Sequence, residues 1–297
     1  MVFADLAFLY VFLPLVFGLH AAVPVHWRNG VLVAASLVFY AWGEPVWVSL
    51  IVFSAFIDYH VGRAIAAETR SRWRIAYLAV SLCVNLGLLL TFKYSGFLAD
   101  TLHALSGFRL PVPRLALPVG ISFYTFQTLS YVIDVYRGRT RAQDRFLDYL
   151  LFVALFFQLV AGPIVRHPQI AAGIAHRTLS WEAVASGFWR FLTGLFKKVM
   201  VANEAGRLAS LFLDADPASG TVLGAWAGAV LFTLQIYYDF SGYSDMAIGL
   251  GKMFGFSLPE NFDYPYTARS VKEFWRRWHM SLGSFFRDYL YIPLGGN

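Results

Sequence analysis

"LQIYYDFSGYSDMAIGLGKMFGF", residues 234–256, follows the fully apolar "AVLF" at 229–232 and places Gln235, Tyr237, Tyr238, Asp239, Ser241, Tyr243, Ser244 and Asp245 within eleven positions. An apolar helix that turns polar partway along belongs to a membrane interior, where such groups must find partners or line a cavity. Asp239 and Asp245 are six residues apart, about 240° around an ideal helix, so they do not make one metal clamp. Gly242 between them allows either a break in the helix or the close approach of another backbone. A polar, broken helix at membrane depth lines a water-filled passage or site. The competing reading is a helix end at the interface, with its tyrosines hydrogen-bonded there.

The composition agrees with lipid as the solvent. Of 297 residues, 58% are hydrophobic and 14% charged, with a mean hydropathy of +0.56, against roughly a quarter charged in soluble domains. The net charge of +6 comes in short arginine clusters between apolar runs, a pattern for cytoplasmic loops beside anionic membrane lipids and not for nucleic acid. Cys83, the one cysteine, lies in "IAYLAVSLCVNLGLLL"; this excludes an intramolecular disulfide or thiolate cluster and predicts a small buried hydrophobe. The first 23 residues lack the basic start of a signal peptide and read as a first membrane helix.

A helix needs roughly 20 mostly apolar residues to cross the hydrocarbon core. Runs near that length occur at 6–23, 75–92, 117–135, 183–202 and 222–240. The stretch 149–164 is shorter and ends at Pro163, as an incomplete or tilted span would. "GEP" at 43–45 divides 31–57 into two pieces too short to cross separately, which predicts one kinked span or a re-entrant hairpin. The loops "DYHVGRAIAAETRSRWR" (58–74) and "YRGRTRAQDRF" (136–146) carry four arginines each and should be cytoplasmic, whereas "DADPASG" (214–220) suits the outer face. In 118–136, Ser122, Thr125, Gln127, Thr128, Ser130 and Asp134 suit hydrogen bonds between helices, with Asp134 at the interface beside the arginine loop. The fold class is therefore all-α, a polytopic transmembrane helical bundle with 1–297 as a single domain.

The segment "KEFWRRWHMSLGSFFRDYLYIPLGGN" (272–297) gathers cations around one histidine. On a continuous helix Lys272, Arg276, His279 and Gly283 form one stripe, bordered by Trp275 and Phe286. Imidazole suits proton transfer near neutral pH, and the cations suit an anionic ligand such as a phosphate-bearing acyl carrier. An interfacial amphipathic helix with His279 incidental fits the same residues. His20, His26, His60, His103 and His176 receive no role, and His167 in "GPIVRHPQI" reads as a headgroup contact in preference to a substrate contact. "GLGKMFG" (249–255) matches no nucleotide-loop spacing.

Taken together, "GISFYTFQTLSYVIDVYRG", "GPIVRHPQI", the run from "YDFSGYSD" to "PLGGN", and the opening "FLPLVF…SLVFYAWGEP" resemble the membrane-bound O-acyltransferase family. The resemblance covers nearly the whole chain. It is greatest to the bacterial branch containing the alginate O-acetyltransferase membrane subunit, with teichoic-acid D-alanyl transfer proteins more distant. It implies a ring of helices around a tunnel, in the bacterial inner membrane. It also implies no bound cofactor, acetyl-CoA or another acyl thioester as donor, and a periplasmic partner protein that passes acetyl to an exopolysaccharide acceptor.

Of the family's two important histidines, the first corresponds to His279. The principal one lies in a "WHG" segment that this sequence does not contain, which predicts an N-terminal fragment in preference to an inactive truncated product. By the resemblance the missing histidine is the base, while His279 assists by orienting the thioester or hydrogen-bonding its carbonyl. Lys272 and Arg276 attract the donor. Tyr238, Asp239, Ser241, Tyr243, Ser244 and Asp245 line the passage, and Asn261 in "LPENFDYPY" orders the loop before His279. A transporter or a scaffold for polysaccharide export is the non-enzymatic rival, since interrupted polar helices serve transport equally well.

Overall fold

The computed structural model describes residues 1–107, 116–159, 162–215 and 220–296, and all regular structure among them is helical. Part of the acidic loop expected on the outer face, residues 216–219, lies outside the described residues, as does Asn297. After a π turn at Phe8–Phe12 come α1 (Leu13–Ala22), α2 (Arg28–Ala41), α3 (Val48–Ala67) and α4 (Ser71–Leu89). A π turn joins α4 to α5 (Ser95–Ser106), followed by α6 (Ile121–Tyr136), α7 (Phe146–Ala154), α8 (Phe156–Leu159) and α9 (His167–Ala175). Then come α10 (Trp181–Phe196), α11 (Asn203–Leu213), α12 (Val222–Met253), α13 (Val271–Arg277) and α14 (Met280–Phe286).

The chain packs as two compact units. One comprises Met1–Ala22, Ala161–Val165 and Ala175–Phe286; the other comprises Val23–Val160, Arg166–Ile174 and Arg287–Asn297. Val48–Ala67 and the continuous Ser71–Ser106 are long and apolar enough to cross a membrane.

In the second unit the "GEP" break is a true interruption. Helix α2 stops at Ala41, the Tyr40 carbonyl accepts from the amides of Gly43 and Glu44, and α3 begins at Val48. The expectation that neither piece spans alone is corrected for α3, whose 20 residues absorb Asp58–Ala67 and Arg63 from the predicted loop. No breaker interrupts 48–67, and the turn comes only where the Glu68 carboxylate accepts from the amides of Thr69 and Arg70.

Helices α3, α4 and α6 are tied by a buried polar knot. Asp58 accepts from Ser81 Oγ (2.6 Å) and from Asn85 Nδ2 (2.8 Å), and Asn85 Oδ1 accepts from Ser54 (2.7 Å) and Thr128 (3.3 Å). Such groups are costly in lipid unless paired. Asp134, expected at the interface, is instead buried and accepts from Tyr289 Oη at 2.7 Å. Every residue from Asp148 to Leu159 is buried, and the segment divides into the nine residues of α7 and the four of α8, each too short to cross by itself, as an incomplete span would be. Cys83, expected to be buried, is exposed on α4.

The first unit is organised by α10 against α12. Ser180 Oγ caps α10 by accepting from Ala183 N, and Thr221 Oγ caps α12 by accepting from Gly224 N, each at 3.1 Å. Helix α12 runs unbroken for 32 residues, about 48 Å, straight through Gly242. The break expected there is absent because Gly242 serves close approach instead. A Cβ at Gly242 would lie 2.8 Å from the Gly194 carbonyl oxygen, and one at Gly249 would lie 2.6 Å from that of Gly187. The two glycines of each helix are seven residues apart, so both contacts fall on one face of each.

Gly249→Val should therefore force α10 and α12 apart, costing about 1–3 kcal/mol or more. The thermal midpoint of the detergent-solubilised protein should drop by several degrees. Gly18→Ala on α1, where a Cβ meets nothing within 4 Å, should leave it unchanged.

Candidate functional site

The site is built on the return of the chain from α12. Ser270 Oγ caps α13 by accepting from Glu273 N, and Glu273 pairs with Arg277 at 2.8 Å, one turn on. Bonding from the Arg269 amide, reinforced by the Arg277 charge, holds the Glu273 carboxyl below its ordinary range. The continuous helix expected through His279 does not form. Helix α13 ends at Arg277, Trp278 is extended (φ −100°, ψ 127°), His279 is left-handed (φ 45°), and α14 starts afresh. Two backbone bonds impose the turn: Met280 N donates to Asn261 O and Asp263 N donates to Arg277 O, both at 3.0 Å. A left-handed non-glycine residue costs about 1–3 kcal/mol and persists only where its surroundings over-determine it.

Asn261 supplies that determination. It is 1% exposed, and its Oδ1 accepts from Ser281 N (3.3 Å) and Ser281 Oγ (2.9 Å) and meets His279 Nδ1 at 3.0 Å. A backbone amide can only donate, so the Asn261 atom facing it is the oxygen. His279 Nδ1 therefore carries the hydrogen and Nε2 holds a bare lone pair. Nε2 makes no hydrogen bond among the described residues. Burial pushes the His279 imidazole down to about 4, so it is neutral near pH 7. Its ring stands edge-on to Phe240 (4.7 Å, 86°), and Phe240 and Trp278 both meet Phe262 at 5.0 Å. Asn261 Nδ2 is left as a buried donor with no partner among the described residues.

The turn undoes the predicted stripe. Lys272, Trp275 and Arg276 lie on the exposed side of α13 and are not aligned with His279 on one helix; neither cation forms an ion pair among the described residues.

Met280 and Phe262 also border a cavity of about 670 Å³. Of the residues predicted to line a passage, Ser241, Ser244 and Asp245 line it, joined by Tyr237 on the same face of α12. The hydroxyls of Ser241 and Ser244 are buried and have no partner among the described residues. Tyr238, Asp239 and Tyr243 do not line it: Asp239 pairs with Lys198, and Tyr243 stacks on Phe3 at 4.6 Å. The helical period separates them, since residues 239 and 243 point away from 237, 241 and 245.

Sequence reading missed Arg190, Lys197 and Glu260. Asp245 accepts from Arg190 (2.6 Å) and Lys197 (2.6 Å), and Arg190 reaches Glu260 at 2.6 Å. The available signal was a pair of cations seven apart in the otherwise apolar "RFLTGLFK". His167, expected at a headgroup, is buried in the second unit, where it bonds Thr140 and packs edge-on against Tyr131 and Phe152.

A family model described as MBOAT, membrane-bound O-acyltransferase family, matches residues 142–297. Over all of this chain and 60% of its own length, the probable alginate O-acetylase AlgI of Azotobacter vinelandii is 45% identical. The protein of the same description from Pseudomonas aeruginosa is 44% identical over all of this chain and 58% of its own. The peptidoglycan O-acetyltransferase of Helicobacter pylori is 34% identical over 98% of this chain and 61% of its own. The chain thus spans about 60% of the length of these curated relatives.

Asn261→Leu should strand three buried donors, each worth about 1–3 kcal/mol, and lower the thermal midpoint strongly, whereas Asn261→Asp keeps the acceptor and should recover most of the loss. The depressed His279 pKa makes the unfolded chain bind the extra proton first. Stability should accordingly fall as pH drops from 6.5 towards about 4, by up to about 3 kcal/mol from this group. Denaturant titration of wild type against His279→Asn should show a shallower loss in the variant.

Proposed function

We propose that this chain, which belongs to the membrane-bound O-acyltransferase family, is the His279-bearing part of a membrane O-acetyltransferase. The observation that carries the reading is a neutral imidazole, locked by Asn261 with its Nε2 lone pair free, on the residue next to Met280, which lines a polar cavity that His279 itself does not line. Acyl transfer to a hydroxyl needs an acceptor for the hydroxyl proton and donors for the tetrahedral oxyanion. In place of the second histidine that the resemblance implies as base, His279 is given that role here: its Nε2 takes the hydrogen of the attacking hydroxyl as the hydroxyl oxygen bonds to the acyl carbon. As the carbon–sulfur bond breaks, the imidazolium returns the proton to the leaving thiolate. With its hydrogen on Nδ1, the neutral ring acts from Nε2 as an acceptor and not as a donor to the acyl carbonyl.

The unpartnered Asn261 Nδ2 and the hydroxyls of Ser241 and Ser244 are the candidate oxyanion donors. Lys272 and Arg276, exposed and without ion pairs among the described residues, attract an anionic thioester such as acetyl-CoA. We assign the protein to the bacterial inner membrane and its acetyl group to an exopolysaccharide such as alginate, delivered through a periplasmic partner. The names of the relatives support this acceptor class.

His279→Asn tests the reading, because asparagine tolerates the left-handed backbone and removes only the imidazole chemistry. Labelled acetyl transfer to polymer by membranes from producing cells should fall at least about 100-fold, with the protein present at its normal level. Undiminished transfer at that level would refute the assignment and favour a transport or scaffold role.

A further inference from the structure

The second unit holds a cavity that the acyl-transfer reading does not use. It is an open groove of about 630 Å³ between the end of α3, the start of α4 and the loop 138–144, lined by the exposed Arg63 and Arg141 and the half-buried Arg74. None of the three guanidinium groups has an ion pair among the described residues. Arg63 donates to Tyr59 Oη (3.0 Å) and Arg74 to the Tyr136 carbonyl (2.7 Å), while Arg74 Nε is buried without a partner. Arg141 makes no side-chain bond among the described residues. Each guanidinium carries five N–H donors, so most of them remain unused.

Two acids share the lining, Glu68 and Asp144. Glu68 is committed to the amides of Thr69 and Arg70, and three cations against two acids leave the cavity with a net charge of +1. Thr140 adds a hydroxyl held in place from behind, since His167 Nδ1 lies 3.2 Å from its Oγ1 and the His167 ring is clamped by Tyr131 and Phe152.

We propose that this cavity binds a phosphate ester. Forked guanidinium groups match phosphate oxygens bidentately, and three of them with spare donors converge here. The Thr140 hydroxyl offers a neutral fourth contact, and Glu68 and Asp144 offer a place for an ammonium or hydroxyl on the same ligand. Both loops that form the rim are rich in arginine, the signature of the cytoplasmic side. The ligand is therefore a phospholipid headgroup of that leaflet or a soluble phosphate ester of the cytoplasm.

The test uses protein purified in a phosphate-free detergent, with thermal shift read on addition of inorganic pyrophosphate, phosphatidylglycerol or phosphate-free diacylglycerol. Arg141→Gln removes a cavity cation that makes no bond within the described structure, so the fold is preserved. Arg145→Gln removes a neighbouring cation that lies outside the cavity lining and pairs with Asp148 at 3.9 Å. Stabilisation by pyrophosphate that weakens about tenfold in Arg141→Gln and not in Arg145→Gln supports a soluble phosphate ester. Stabilisation by phosphatidylglycerol alone, with the same dependence, supports a headgroup. The proposal is overturned if neither phosphate compound stabilises the protein. It is equally overturned if diacylglycerol matches them or if the two variants behave alike.

Discussion

The contact on which the His279 unit depends is between backbones. Gly187 and Gly194 on α10 face Gly249 and Gly242 on α12, so closely that no Cβ fits between the helices. In lipid there is no hydrophobic gain from pressing two apolar helices together, so packing must come from close approach and from polar pairing. Both occur here on one seam. The same approach that the glycines allow brings Arg190 and Lys197 onto Asp245, an interaction that needs tight geometry to offset the desolvation of its charges. Without the glycines those cations would be stranded.

From that seam the site follows by successive constraints. Helix α12 presents Phe240 and Tyr237, against which Phe262, Trp278 and the His279 ring are packed. Asn261 then decides the chemistry of the imidazole. Its oxygen collects a backbone amide, a hydroxyl and the Nδ1 hydrogen, which simultaneously fixes a left-handed residue, a tautomer and a ring orientation. One amide oxygen thereby accounts for features that a helix stripe of cations would have left unexplained.

The sequence carried much of this in plain sight. The apolar runs located the first helix, the long α4–α5 rod and α10 and α12, because a bilayer demands helices of a certain length and composition. The motifs around "YDFSGYSD" and "FWRRWH" pointed to the family that the comparisons support. Other features were hidden by ambiguity in the local code. Gly242 is equally compatible with a break and with close approach, and only a partner helix chooses between them. The residues 272–283 have helical spacing, yet two bonds from the distant 261–263 segment override it. Asp134 and His167 stand near arginines in sequence, which points to the surface, but folding encloses them.

Read alone, the amino-acid sequence determined the all-α class, most of the helices, the arginine clusters and His279 as the residue of interest. These depend on composition and short-range spacing, which a linear chain displays directly. The tertiary structure decided which polar residues of α12 face the cavity, which cations meet Asp245, and which nitrogen of His279 is left bare. Those outcomes depend on contacts between residues that are remote in sequence: Asn261 with Ser281, Gly194 with Gly242, Arg190 with Glu260. No periodicity encodes such pairs, because they exist only once two helices have met.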